Sequence, residues 1–482
     1  MKSIIKFVFS FFLTFISIQE IFSQSASFPG IRTGNYTGVQ SVFFNPSEVA
    51  GSRYIFDLNL VGINTGFGNN KASFSLSTVG STFNGDNALN SLFSGAGKLS
   101  GQLQMDVMGP SLLISLPKKS GIAITSRIRS QFSFTDLDGR LAKSVLDDAT
   151  NEINFPYTIS SANNMRLNIN GWAEYGLSYG RVFVDDSDKI IKIGASVKYL
   201  AGAGNSYLQI DQLNATLTNN PTVPNSAVFL APGSSGVIGL GISGNMGSLT
   251  PADLLKSSSN GIGADLGIVY EQKSKDNAKH PYKFKLSASI LDIGSIKYTR
   301  DITRSGTFAM LVTTPGGFNL QSLQGVNLNN YKQVLSSNPN FTPAPNNNNP
   351  TLKVSLPTSI QLFGDFHAKG NFYVSAGSQI SMVKRSDPEN AFVYSGFTIT
   401  PRYEGKGLGI YLPINYNSLT DLTMGATLRL GPLFIGSGSI LSAVLSNSKQ
   451  ADVHLGLHIG ILKKTKEKTP EKATQKEGSE NE

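Results

Sequence analysis

The chain has 482 residues, with 15% Asp, Glu, Lys and Arg, 40% apolar residues, 49 Gly, one Trp, no Cys and a formal net charge of +9. The missing Cys excludes disulfides, Cys-ligated metal centres, thiol catalysis and a lipid-modified cysteine. Charge is far below the roughly 25% of soluble domains while apolar content is ordinary, so something other than a charged surface must meet the surroundings.

Met1, Lys2 and Lys6 precede an apolar run from Phe7 to Ile18 and a small residue, Ser23. These are the three parts of a cleavable secretory signal, expected over 1–23, and the run is shorter than the about 20 residues a helical span requires. Residues 24–53 lack alternation, yet Phe28, Tyr36, Val42, Phe43 and Phe44 make them too apolar for a solvated tail. They are expected to fold back as a lumenal plug or hatch around Phe43, Phe44, Asn45 and Pro46, with a turn at Asn45-Pro46.

From Arg53 onward, apolar and polar residues alternate with period two over segments of about ten residues, as strands with one apolar face do. Val453, Leu455, Leu457, Ile459 and Ile461 point one way; His454, Gly456, His458 and Gly460 point the other. Leu422, Met424, Ala426, Leu428 and Leu430 stand likewise against Thr423, Gly425, Thr427 and Arg429. The second face is Gly, Ser, Thr and Asn instead of the Lys and Glu of a soluble sandwich, which is the composition of a barrel interior beside a lipid-facing exterior. Fourteen strands are expected over 54–66, 105–116, 121–135, 165–182, 190–202, 260–271, 282–298, 352–367, 371–383, 394–404, 407–418, 420–430, 432–441 and 450–461. The fold class is therefore all-β: a 14-stranded antiparallel transmembrane barrel over 54–462 with an N-terminal lumenal plug.

The connections sort by parity. PKKSG, VDDSDK, AKGN, YEGKG and GP follow the second, fourth, eighth, tenth and twelfth strands, whereas 67–104, 136–164, 203–259 and 299–351 are long. Outer-membrane barrels have short periplasmic turns and long outer loops, so both termini are expected in the periplasm. Within the long loops, 87–95, 139–150 and 328–338 have helical spacing, and 338–351 is turn-rich and expected to be mobile. Tyr54, Phe56, Phe132, Phe134, Tyr175, Tyr179, Tyr199, Tyr270, Tyr282, Tyr298, Tyr403 and Tyr416 fall near strand ends, as interfacial girdles would. Residues 463–482, with six Lys and five Glu, are expected to be a disordered periplasmic tail.

Tests for chemistry find no site. His454 and His458 have the spacing of a helical zinc pair, but on a strand they stand roughly 13 Å apart. Gly261-x-Gly263-Ala264-Asp265 lacks the helix of a nucleotide fingerprint, and Asp185, Asp186 and Asp188 fit a polar turn better than a calcium loop. No catalytic residue, cofactor or metal is expected, and export makes nucleic acid an unsuitable partner despite a pI near 9.3. The inward face carries both signs, Arg127, Arg129, Lys192, Lys198 and Arg429 against Glu174, Asp265, Glu271 and Asp365. In a narrow lumen these must pair with each other or with the plug.

The stretches 34–62, 172–183, 290–298, 356–366 and 400–461, including GNYTGVQSVFFNPSEVAGSRYIFDLNLVG and ADVHLGLHIGI, resemble a Bacteroidota family of uncharacterised outer-membrane barrels. That family is similar to the FadL-like transporter superfamily, whose barrels have fourteen strands and whose hatch carries Asn-Pro-Ala where this chain has Asn45-Pro46-Ser47. The resemblance implies an outer-membrane protein in contact with lipid. Its implied roles are passage of small hydrophobic solutes or, alternatively, a scaffolding subunit of a secretion or barrel-assembly machinery with an OmpA-like periplasmic partner. Solute passage predicts an apolar pocket beside the plug and a break in a nearby strand.

Overall fold

The computed structural model describes residues 27–76, 97–146, 154–160, 165–220, 222, 227–244, 257, 259–274, 280, 282–344 and 350–463. The expected signal (1–23), the stretch 87–95 expected to be helical and the tail beyond Lys463 lie outside these residues, as do 345–349 of the turn-rich stretch.

Fourteen antiparallel strands close on themselves, one at each site read from the alternation. They are β1 (Tyr54–Asn69), β2 (Lys98–Met108 with Ser111–Leu116), β3 (Ser120–Asp138), β4 (Met165–Asp185), β5 (Lys189–Asn219), β6 (Ser259–Lys273) and β7 (Tyr282–Thr299). The second half comprises β8 (Thr351–Ser355 with Ser359–Lys369), β9 (Phe372–Ser381), β10 (Gly396–Glu404), β11 (Leu408–Tyr411 with Ile414–Asn417), β12 (Asp421–Met424 with Ala426–Leu430), β13 (Leu433–Ser437) and β14 (Gln450–Leu462). β14 pairs with β1 from Gly68↔Gln450 to Tyr54↔Leu462, which closes the barrel. Pro110, Pro357 and Pro413 stand at the interruptions of β2, β8 and β11, where a residue without an N–H cannot continue the ladder.

The two faces of each strand are inverted relative to a soluble protein. On β14, Ile459 and Ile461 are 54% and 61% exposed while His454 and His458 are 0% and 3%. On β12, Leu430 is 53% exposed and Arg429 between the leucines 1%. An aliphatic surface around a closed ring of strands is what a barrel presents to hydrocarbon, and it excludes a sandwich with the aliphatic side inside. Among the described residues no helix is long and apolar enough to cross a membrane.

The turns 117–119, 186–188, 370–371, 405–407 and 431–432 gather at the end where β1 begins and β14 finishes, the terminus end, where Lys463 N donates to Arg53 O at 2.8 Å. The long connections emerge at the opposite, loop end. β5 runs seventeen residues past its expected limit of 202, because its extension carries the loop-end structure: it pairs with Tyr157–Ser160, Val228–Leu230 and Ser235–Gly244. Gly306–Leu311 and Phe341–Pro343 extend this sheet. Helices α1 (Gly139–Leu146) and α2 (Tyr331–Ser336) fall within two of the stretches expected to be helical. Together these elements enclose an apolar core that includes Leu141, Leu217, Leu240, Phe308, Tyr331 and Phe341. The described parts of the long connections thus form a folded head.

Tyr175, Tyr179, Tyr199 and Tyr416 are exposed, as girdle residues must be. The girdle expectation fails for Tyr54, Phe134, Tyr282 and Tyr298, which are buried. Strand ends were legible from the sequence, but the side of the wall depends on parity, which bulges reset.

Candidate functional site

Residues 27–53 make short 3-10 turns at Ile31–Thr33, Gly38–Phe43 and Pro46–Val49, and their polar groups find partners around the barrel. Phe28 N donates to Asn64 Oδ1 (3.2 Å), Val39 N to Asp57 Oδ1 (2.6 Å) and Gln40 Nε2 to Asn59 Oδ1 (2.8 Å), all on β1. Arg32 Nη2 donates to Gln361 on β8 (2.9 Å), Asn35 N and Nδ2 donate to Glu404 on β10 (2.7 and 3.0 Å), and Pro29 O accepts from Thr427 on β12 (3.0 Å). Across the lumen, Ser289 Oγ on β7 donates to Phe44 O at 2.8 Å, and Glu48 is ion-paired with Lys285. Irregular backbone can exist at this depth only where such partners satisfy it.

The tightest approach is at Asn45. Its backbone is extended, and its Oδ1 accepts from Ser47 N (2.9 Å) and caps the last 3-10 turn, while its Nδ2 donates to Ser287 Oγ (2.8 Å). The expected Asn-Pro turn is thus a cap on a one-turn helix. Beneath it, Gly121, Gly180, Gly194 and Gly267 stand directly opposite one another across β3, β4, β5 and β6. This stripe lets two backbones touch. A Cβ at Gly194 would lie 2.6 Å from Pro46 O, Ser47 N and Ser47 Cα; one at Gly180 would lie 2.7 Å from Val49 Cγ1; and one at Gly267 would collide with Asn45 Oδ1.

Every inward charge read from the sequence has a partner. Arg129 lies 2.7 Å from Asp292 and 3.1 Å from Glu174, and Lys198 lies 2.6 Å from Asp292 and 2.8 Å from Asp265. Trp172 Nε1 donates to Glu174 Oε1 at 2.8 Å. Arg127 Nε donates to Asp106 Oδ1 at 2.6 Å, and Lys192 pairs with Glu271 at 2.6 Å. Asp365 is held in two hydrogen bonds by Arg402 (2.8 and 2.6 Å), which also donates to Glu404 (3.0 Å). Arg429 donates to Tyr411 Oη (3.4 Å) and to the carbonyls of Lys406 and Gly431 (3.1 Å each). His454 Nε2 lies 3.0 Å from Thr427 Oγ1 and His458 Nδ1 lies 2.8 Å from Asp57 Oδ2, so each histidine has its own strand partner. Asp185 faces Lys119 and Lys273 across terminus-end turns.

The sequence reading missed Asp106, Asp292, Arg402 and Glu404. Asp106 has the parity of an inward residue and stands at the edge of its alternating segment. Asp292, with φ of 59°, sits where alternation lapses between Leu291 and Gly294, and Pro401 breaks the pattern beside Arg402.

Two further features had no sequence signal. The β9–β10 connection, 382–395, reaches back into the lumen from the loop end: Phe392 O accepts from Gln102 Nε2 (3.1 Å), Glu389 O from Asn205 Nδ2 (2.7 Å) and Arg385 O from Arg166 Nη1 (2.6 Å). The second feature is a break in the wall. β13 ends at Ser437, so the outer parts of β12 and β14 have no strand between them; helix α3 (Ile440–Leu445) fills the place. Ser442 Oγ accepts from Met424 N (2.8 Å), while Asp452 on β14 accepts from Gly438 N and Ser439 Oγ (2.6 Å each). Val444 and Leu445 of this helix are exposed. Beside the break, Phe28 and Ile31 pack with Met108, Tyr411 and Phe434, and Phe28 meets Phe434 and His454 edge-on at 6.2 and 6.1 Å.

Residues 46–438 match the model of a family described as "Family of unknown function (DUF5723)". No curated protein matches. Among solved structures, the toluene transporter TbuX of Ralstonia pickettii is 10% identical over 92% of this chain and 100% of its own, with a TM-score of 0.41. A FadL homologue of Pseudomonas aeruginosa is 9% identical over 91% of this chain and 98% of its own (TM-score 0.39). The toluene transporter TodX of Pseudomonas putida is 12% identical over 92% and 96% (TM-score 0.37).

Proposed function

The chain belongs to the DUF5723 family of unknown function, and from that premise and the geometry above we propose an outer-membrane barrel that passes a small hydrophobic solute, held shut by residues 27–53 as a plug. The aliphatic exterior supports insertion in the outer membrane with lipid around it. Short turns at the terminus end and long connections at the other support periplasmic termini.

The observation that carries the reading is the coincidence of two features. The break between β12 and β14 lies beside the apolar cluster formed by the plug's first residues, Phe28 and Ile31, with Tyr411 and Phe434. An apolar solute crossing a lumen lined with ion pairs would have to displace their hydration at every step, whereas a solute meeting the aromatic cluster at a wall interrupted by one short helix does not. The apolar pocket expected beside the plug is not found among the described residues, where an aromatic cluster fills the place, so on this reading passage requires the plug tip to leave.

The test is uptake of labelled toluene by intact cells carrying the wild-type gene, a deletion, or a variant with α3 tied to β12, the strand that Ser442 faces, by an engineered disulfide (Ser442→Cys with a cysteine partner on β12). The reading expects a loss of uptake in the deletion, and a loss in the tied variant that reduction reverses. Equal uptake in all three would defeat it.

A second reading is a scaffolding subunit of a secretion or barrel-assembly machinery: the folded head at the loop end offers a surface to an outer partner, whereas an OmpA-like periplasmic partner would meet the terminus end. It expects stoichiometric partners in mild-detergent purifications; an isolated monomer would count against it. Neither reading involves catalysis.

A further inference from the structure

At the terminus end of the lumen a cavity of about 120 Å³ lies between residues 32–54 and the inward faces of β5 to β9. Its wall holds four cations, Arg32, Arg53, Lys192 and Lys285, and three carboxylates, Glu48, Glu271 and Asp365. The carboxylates are already committed. Asp365 is gripped by Arg402 through two hydrogen bonds and accepts another from Tyr282 at 2.5 Å. Glu271 pairs with Lys192 at 2.6 Å, and Glu48 with Lys285.

Two guanidiniums remain. Among the described residues Arg32 donates only to the neutral Gln361, and it lies between the rings of Phe44 and Phe363, 4.9 and 4.7 Å from their centroids. Arg53 donates Nη1 to Tyr36 Oη at 2.9 Å and lies 4.7 Å over that ring, while its Nη2 is buried with no hydrogen-bond partner among the described residues. Neither has a carboxylate within ion-pair distance among those residues. Cation–π contact replaces part of the lost hydration of a guanidinium but leaves its N–H fork unfilled. Two such forks on one cavity, with the carboxylates neutralised by other cations, make a local excess of positive charge in a poorly solvated place.

We propose that this cavity is a binding site for a small oxyanion, of the phosphate or carboxylate class, taken between the guanidiniums of Arg32 and Arg53. Planar forks of N–H donors match such anions with parallel hydrogen bonds, which a lysine cannot supply. Gly51 and Ser52 also line the cavity, so the site is reached from the terminus end. Arg32 belongs to the segment inside the barrel and Arg53 to the start of the wall, so a bound anion ties one to the other. Such a site could operate whatever crosses the barrel.

The experiment is calorimetric titration of the detergent-purified full chain with inorganic phosphate and, separately, with acetate, at constant ionic strength in chloride. Saturable one-to-one binding of at least one is expected, weakened at least tenfold in both Arg32→Gln and Arg53→Gln. Lys118→Gln, in an exposed turn, should bind as wild type. Arg53→Lys keeps the charge and removes the fork, so it serves as the conservative variant and should weaken binding at least threefold. Failure of both anions to saturate, or wild-type affinity in the arginine variants, would overturn the proposal. Preference for phosphate over acetate, or the reverse, identifies the class.

Discussion

Adding one methyl group to the glycine stripe should unseat the N-terminal segment while leaving the barrel wall intact. In Gly194→Ala the new Cβ would lie 2.6 Å from Pro46 O, Ser47 N and Ser47 Cα. All three are backbone atoms of a capped turn, so the clash cannot be relieved by a rotamer change. On the β5 side, Gly194 faces Gly180 and Gly267 in register, both without side chains, so the strand can accept the methyl. The strain therefore falls on Asn45–Val49 and its contacts with Ser287 and Lys285. Overpacking of this kind costs about 1–3 kcal/mol. At about 1.4 kcal/mol per decade, the unseated fraction should rise roughly 5- to 150-fold. The assay is single-channel recording in planar bilayers: wild type is expected to be closed with rare openings, and Gly194→Ala to open correspondingly more often. Gly407→Ala, where an added Cβ meets nothing within 4 Å, is the control. If Gly194→Ala recorded like Gly407→Ala, the segment would not be what closes the lumen.

Arg402→Met strands two buried carboxylates, Asp365 and Glu404, and breaking a buried pair in this way costs about 3–5 kcal/mol; the unfolding midpoint in detergent should fall markedly, and an unchanged midpoint would mean the network is not structurally significant. Asp452→Ala removes the acceptor of Gly438 N and Ser439 Oγ, charge-assisted bonds of about 1.5–3 kcal/mol each, and should speed amide exchange through α3 while leaving β1–β14 pairing protected. In the head, the Thr303 hydroxyl, with help from Arg304, holds the Asp301 carboxyl down to about 2. Because its folded pKa is depressed below the unfolded value of about 3.9, the stabilisation is present above pH 4 and is lost as pH falls through 2. Protection of the amides in 301–305, relative to intrinsic exchange at the same pH, should therefore fall as pH drops below 4 in wild type, whereas Asp301→Asn should show the low protection at every pH.

Much of the fold was legible because it is written locally. Alternation over ten residues specifies a strand and its two faces without reference to any other part of the chain. Fourteen such segments, with the long gaps on one parity, define a closed barrel with both ends on one side. Arg127, Arg129, Lys192, Asp265, Glu271, Asp365 and Arg429 share the parity of the polar face, which alone marked them as candidates for the lumen. Errors appeared where parity lapses, at the bulge by Asp292 and at Pro401 beside Arg402, and where a strand outlasts its pattern, as β5 does beyond 202.

Which lysine meets which carboxylate was not local. Lys198 reaches Asp292 across 94 residues and Glu48 reaches Lys285 across 237, distances set by strand stagger and closure. The same holds for the glycine stripe: Gly121, Gly180, Gly194 and Gly267 look like ordinary strand glycines until register brings them level under Asn45–Val49. The polar 382–395 connection carries no mark that it turns inward, and β13 reads as a full strand until helix α3 replaces its outer half. Amino-acid order determined the elements and the face each shows to hydrocarbon, because those depend on short-range sterics and transfer energy. The tertiary structure decided what fills the lumen and where the wall is interrupted, because those depend on distant residues meeting only once the ring has closed.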